Sequence, residues 1–276
     1  LYFLNSRLSG SSCVFSWARI KNYITPLHSV PHNMKTILLI SFLSLYFSCL
    51  AQNDRLRDPN NTNWIQTFNT IGLDKKWSLH VEYQWRRTNG LKHWQQSLFR
   101  IGVNRKINEQ VTLHAGYGWI ETFPYGDFPI ASAGTFPEHR VYEQVSLRQP
   151  INKLILTHRF RIEQRWLGRV RAGTDREIES WTFLHRFRYQ LRAQISLSSK
   201  WYAVAADEIF IGAGKNAGIN IFDQNRVFLM AGFKLNGHVS VEAGYFNQTL
   251  QQGRRENNKT IIQGNNGVVA AVNLLL

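Results

Sequence analysis

Cysteine is nearly absent from this 276-residue chain: there are two, Cys13 and Cys49, and both lie in its first fifth. After Ala51 no apolar run approaches the ~20 residues that a membrane-spanning helix needs. Acid is also scarce, with 18 Asp and Glu against 33 Lys and Arg. No G-x-S-x-G, H-E-x-x-H, Walker A or calcium-loop motif occurs, so the familiar hydrolase, metalloprotease and nucleotide-binding signatures are missing. Gly116-Tyr117-Gly118 and Gly212-Ala213-Gly214 are lone glycine pairs, read as a strand kink and a flexible loop.

Met34-Lys35 followed by the apolar run Ile37 to Leu50 and by Ser48-Cys49-Leu50-Ala51 has the shape of a secretory signal cleaved after Ala51. That makes 1–33 an upstream segment outside the fold, 34–51 a removed signal and 52–276 the folded unit. A lipoprotein anchored at Cys49 is the alternative, against which Tyr46-Phe47-Ser48 makes a poor lipobox. Both cysteines precede the cut, which excludes disulfides and cysteine-held metal from the fold. Of the basic residues only Arg7, Arg19, Lys21 and Lys35 precede it, so the remainder stays strongly basic. In a soluble protein that balance points to nucleic acid; in a barrel it asks which face of the wall carries the charge.

What the chain does contain is alternation. From Trp77 to Trp85 every odd position is apolar and every even one polar, which in a strand gives one hydrophobic and one hydrophilic face. The pattern recurs at 62–72, 77–87, 95–105, 110–121, 138–149, 153–166, 180–192, 200–211, 223–235, 238–249 and 260–275. Short turns at 74–76, 107–109, 149–152, 196–199 and Asn236-Gly237 alternate with longer loops at 88–94, 122–137, 167–179, 212–222 and 250–259. Asn-Gly is the dipeptide of a hairpin with positive φ at both positions. Trp77 and Trp201 fall at the short-turn ends of their strands, and Trp85, Trp119, Trp166 and Trp181 at the long-loop ends, all on the apolar face. Two aromatic belts flanking an apolar band are what an outer-membrane barrel presents to lipid. The expected fold is all-β: a single antiparallel transmembrane β-barrel of about 12 strands, within 10–12. Eleven are counted, so either one escapes the pattern or residues 52–61 climb through the lumen. The final run Gly267 to Leu276 alternates as a last strand, ending in leucine where barrel assembly signals typically carry an aromatic.

The polar face is rich in arginine: Arg86, Arg100, Arg140, Arg148, Arg159, Arg161, Arg165, Arg186, Arg188, Arg192 and Arg226. Matching apolar residues across the 149–152 turn (Leu147 with Leu154, Val145 with Leu156, Val141 with Phe160) sets Arg140 opposite Arg161. Pairing Ile162 with His185 sets Arg161 beside Arg186. Such a row of like charges repels and requires compensation. The inward acids Glu82, Glu163, Glu208 and Glu242 are fewer than the arginines, leaving room for a bound or permeating anion. The same register puts Glu143 opposite His158 on the lipid face, with Gln164 and His185 nearby. A β-bulge near Gln144 that turns Glu143 inward, a subunit interface and a lipid-facing hydrolase site all remain open there.

The chain resembles the outer-membrane family catalogued as domain of unknown function 2490. The resemblance lies in Lys76-Trp77-Ser78-Leu79 with Glu82, Gln84 and Arg86, in Phe99-Arg100-Ile101-Gly102, in Glu138-His139-Arg140 with Glu143-Gln144, and in Arg159-Phe160-Arg161-Ile162-Glu163 with Arg165-Trp166. It implies a barrel at the bacterial outer membrane and no established activity, and it favours an inward Glu143. Two function classes follow. One is a porin-like barrel that binds or passes anions; the other is a closed structural or envelope-assembly barrel with partner-binding loops. A lipid-modifying enzyme is a distant third. No metal or cofactor is expected; the expected partners are outer-membrane lipid, the barrel assembly machinery and a small or oligomeric anion, with no nucleic acid. The oligomeric state is not legible.

Overall fold

Side chains that alternate apolar and polar along a segment give strands, whose backbone groups must find partners on both edges. In the computed structural model they do so all the way round. It describes residues 55–131, 134–171, 173–174 and 176–276, and the expected upstream and signal segments lie outside the described residues. The strands are β1 (Arg55–Gly72), β2 (Trp77–Thr88), β3 (His93–Lys106), β4 (Val111–Thr122), β5 (Phe136–Ile151), β6 (Leu154–Val170), β7 (Ile178–Ser196), β8 (Trp201–Ala213), β9 (Phe222–Lys234), β10 (Val239–Glu256) and β11 (Lys259–Leu275). Neighbours in sequence pair antiparallel, and β1 closes the barrel against β11.

That closure corrects the expectation of about twelve strands. β1 and β11 run parallel, from Arg55 beside Thr260 to Thr70 beside Leu275, so eleven strands close without a twelfth. Residues 55–61 belong to this seam and do not climb through the lumen. Two side-chain choices make the parallel contact possible. A Cβ at Gly267 would collide with the Thr62 carbonyl oxygen, so only glycine admits β1 at that height. Where the ladder lapses, Asn63 Oδ1 accepts the Val268 N–H at 3.1 Å.

Four of the short turns share one design. The side-chain oxygens of Asp74, Asn108, Ser198 and Asn236 each accept the backbone N–H groups two and three residues ahead, at 2.6 to 3.3 Å. The acceptor nucleates the turn by satisfying amides that no strand reaches. Asn236-Gly237 is therefore a side-chain-capped turn, and neither residue adopts positive φ. The two-residue hairpin with positive φ throughout appears instead at Asn257 and Asn258, with φ of 48° and 60°. It replaces the long loop expected over 250–259 and lets β10 and β11 extend.

The outer wall is apolar, with Trp119 50 % and Val268 57 % exposed. Trp77, Trp85, Trp119, Trp166, Trp181 and Trp201 lie near strand ends as their positions in the pattern predict. Trp64 points inward and is fully buried, stacked on Phe246 with ring centroids 4.0 Å apart.

Candidate functional site: an arginine-lined lumen

Because successive residues of a strand alternate faces, one run of arginines at every second position projects a column of guanidinium groups into the lumen. β6 contributes Arg159, Arg161 and Arg165, and β7 contributes Arg186, Arg188 and Arg192. Glu163 has no solvent exposure and lies at the centre of this side. Arg186 Nη2 and Arg188 Nη1 each approach it to 2.6 Å, Arg140 to 3.5 Å and Arg161 to 3.8 Å. Around it, Glu138 holds Arg140 at 2.6 Å and Arg165 at 2.7 Å, and Glu208 holds Arg188 at 2.6 Å and Arg159 at 2.7 Å. Glu82 holds Arg100, and Glu242 holds Arg192, both at 2.6 Å. Buried charges are tolerable only when paired and hydrogen-bonded, and most of this side of the lumen meets that condition, with Arg159 Nε and Arg161 Nη1 the buried donors left without a hydrogen-bond partner.

The expected row of Arg140, Arg161 and Arg186 is not formed. All three are buried in the lumen, but Arg140 stands opposite Arg165, Arg161 opposite Gln144 and Arg188, and Arg186 opposite Glu163. The turn between β5 and β6 is only Asn152-Lys153, with Ile151 paired to Leu154, which displaces the register from the one that apolar matching proposes. Matching apolar residues finds the correct face but not the correct rung, because several rungs match equally well. Arg148 is exposed at the short-turn rim rather than luminal.

Glu143 also departs from expectation. The β4–β5 and β5–β6 ladders run unbroken through it, with no bulge at Gln144, and it stays exposed on the outer face. It faces Ile162, while His158 faces Leu147 and bonds the Tyr189 hydroxyl at 2.9 Å. The Glu143–His158 pair therefore does not exist. Gln164 Nε2 donates to Glu143 at 3.1 Å, and His185 is the cross-strand partner of Gln164.

Several luminal residues escape pattern reading. Glu138 shares the face of Arg140, two residues along β5, and that spacing is a signal sufficient to find it. Asp223 and Gln95 are different: each is the extra residue of a bulge, where Phe210 and Ile211 oppose Gln224 and Phe222, and where Arg86 and Arg87 oppose Gln96 and Trp94. A bulge lets two consecutive residues turn inward, which strict alternation forbids. Asp223 thereby reaches Arg186 Nη1 at 2.7 Å, and Gln95 Oε1 accepts the Trp64 indole N–H at 2.8 Å. Asp58 accepts the backbone N–H groups of Asp127 and Phe128, both at 3.2 Å, and so ties the segment around 127–128 to the long-loop mouth.

Two cavities occupy the lumen, about 440 Å³ toward the short-turn end and about 290 Å³ toward the long-loop end. Trp64, Glu82, Arg192, Glu208 and Glu242 line the first; Tyr125, Glu138, Arg140, Arg186 and Asp223 line the second. The residues that line both are Arg86, Arg100 and Arg226. Arg86 and Arg226 are buried, and among the described residues neither has a carboxylate within salt-bridge distance. Arg86 donates through Nε to Gln84 at 3.0 Å and through Nη1 to Gln96 at 2.7 Å; Arg226 donates to Gln224 at 3.2 and 3.1 Å.

A family model described as Protein of unknown function (DUF2490) matches residues 61–259. The chain belongs to this family. The match spans β1 to the start of β11, so the luminal arginines and their acids all lie within the family's domain. An uncharacterized protein of Methylorubrum extorquens is 28 % identical over 199 residues, covering 68 % of this chain and 78 % of that one. Among the described residues no helix is long and apolar enough to cross a membrane, which says nothing of a barrel, and no group of His, Cys, Asp and Glu is placed to hold a metal ion.

Proposed function

We propose that this barrel resides in the bacterial outer membrane and takes small anions into its lumen from both ends, acting as an anion-selective conduit rather than a wide diffusion pore. The observation that carries the reading is that the two cavities meet at arginines and at no other residue type. Of the three, Arg100 is paired with Glu82, whereas Arg86 and Arg226 have no carboxylate partner among the described residues, so the divide carries a surplus of positive charge that attracts a crossing anion and repels a cation. The apolar, tryptophan-flanked outer wall supports the location, since an exposed band of this kind in water would be an aggregation surface. Outer-membrane lipid and the barrel assembly machinery are the partners this location requires.

Membrane fractionation and planar-bilayer recording test the two halves of the proposal. The protein should resist alkaline extraction, and a salt gradient across a reconstituted bilayer should give a reversal potential of the sign set by chloride. A product released by alkali would remove the location. The competing reading, a closed envelope barrel with partner-binding loops, draws on the fully buried Glu163 and its four arginines, which fill one side of the lumen with the barrel's own ion pairs. Electrical silence would select it.

A further inference from the structure

We propose that the middle of the lumen, between Arg86 and Arg226, is an oxyanion site that takes a phosphate or carboxylate group entering from either cavity. The inference rests on the anion-taking lumen proposed above and names where in it the anion binds.

Both guanidinium groups lie against the same indole. Arg86 Cζ is 3.9 Å from the Trp64 ring centroid and Arg226 Cζ 5.1 Å, so the two carbons are at most 9.0 Å apart. A separation within that bound permits one oxyanion to touch both guanidinium groups. Their protein acceptors are all neutral amides: Gln84 and Gln96 for Arg86, and Gln224 for Arg226. A guanidinium carries five N–H donors. Arg226 Nη1 donates to no described residue, and Arg86 has further N–H groups on both terminal nitrogens beyond those its glutamines accept. Arg100 Nε, at the same divide, is buried without a partner.

The nearest acids are already engaged. Glu208 is the cross-strand partner of Arg226, yet its carboxylate bonds Arg159 and Arg188. Glu82 lies on the face of Arg86 and bonds Arg100. Aromatic contact with Trp64 and Phe210 offsets part of the uncompensated charge, and a buried cation still lacks a counter-charge. A planar fork with adjacent free N–H groups selects an oxyanion over a halide, because two parallel donors fit two oxygens of one group.

The test uses the full barrel folded in detergent, without phosphate, and titrates inorganic phosphate, acetate and chloride separately by calorimetry. Saturable binding of phosphate or acetate at one equivalent is expected, with chloride far weaker. Arg86→Gln and Arg226→Gln should each lower affinity about thirtyfold or more, as loss of one partner of a buried charged contact does. Arg254→Gln, at the long-loop rim, should leave it unchanged. Phosphate should also raise the unfolding midpoint of the native barrel and not that of either variant, which shows that the variants fold and have lost only the ligand. No saturable heat with any oxyanion, or binding undiminished in both variants, would overturn the site. A barrel that conducts anions regardless of these variants keeps the conduit and loses this site. One that binds phosphate yet stays electrically silent keeps the site and loses the conduit.

Discussion

The two sides of the lumen treat arginine differently. Along β5 to β8, arginines alternate with Glu138, Glu163 and Glu208, and each buried guanidinium lies within salt-bridge distance of a carboxylate, Arg161 the most loosely at 3.8 Å. Along β9 to β11, β1 and β2 the inward positions around Arg86 and Arg226 are amides, Gln84, Gln224, Gln248, Gln263 and Asn265, all buried, while Glu82, Asp223 and Glu242 on these strands pair with Arg100, Arg186 and Arg192. An amide accepts a hydrogen bond without cancelling charge, so Arg86 and Arg226 keep theirs. The contrast separates arginine as filling from arginine as a cation left for a ligand. The same residue type holds one wall together and leaves the opposite one charged.

The largest effect should come from the paired side. Glu163→Gln leaves four arginines around a neutral amide and should destabilise the barrel by about 3–5 kcal/mol in urea unfolding; a loss below about 1 kcal/mol would mean that the pairing is not what stabilises that wall. Gly267→Ala tests the parallel seam on the amide side, where a methyl group meets the Thr62 carbonyl, and should cost about 1–3 kcal/mol by the same measurement. Arg226→Gln should shift stability by no more than about 1 kcal/mol, or raise it, since it removes an unpaired buried cation. A loss as large as that of Glu163→Gln would erase the distinction between the two sides. The smallest effect concerns the turns. Hydrogen bonds from the Lys76 and Trp77 amides hold the Asp74 carboxyl below its ordinary value of 3.8. Its contribution is therefore complete above that value and lost as pH falls through the lower folded value. Asp74→Asn should flatten that part of the acid unfolding curve, measured by circular dichroism, and an unchanged curve would show that the turn gains nothing from the charge.

Barrel class, the central stretch of each of the eleven strands and most of the inward column of arginines are legible from alternation, because a strand's two faces are set by a period that local sequence carries, whereas the first seven residues of β1 and the extension of β10 are not. The Asp74, Asn108 and Ser198 turns are legible for a similar reason, as their acceptors lie within three residues of the amides they bond. The parallel β1–β11 seam is not legible. It joins residues some two hundred apart through backbone groups that every residue has, and nothing local marks it except a glycine among many.

Register marks the boundary between the two kinds of information. The sequence by itself determined which arginines face inward, and the tertiary structure alone decided which acid each one meets. Sliding one strand past another by an even number of residues keeps every side chain on its face while changing every partner. Turn length and the bulges at Gln95 and Asp223 select among those slides, and both are settled by how neighbouring strands close the ring. Glu163 therefore gathers four arginines and Arg226 gathers none of the acids, an outcome that depends on all the strands of the closed wall at once.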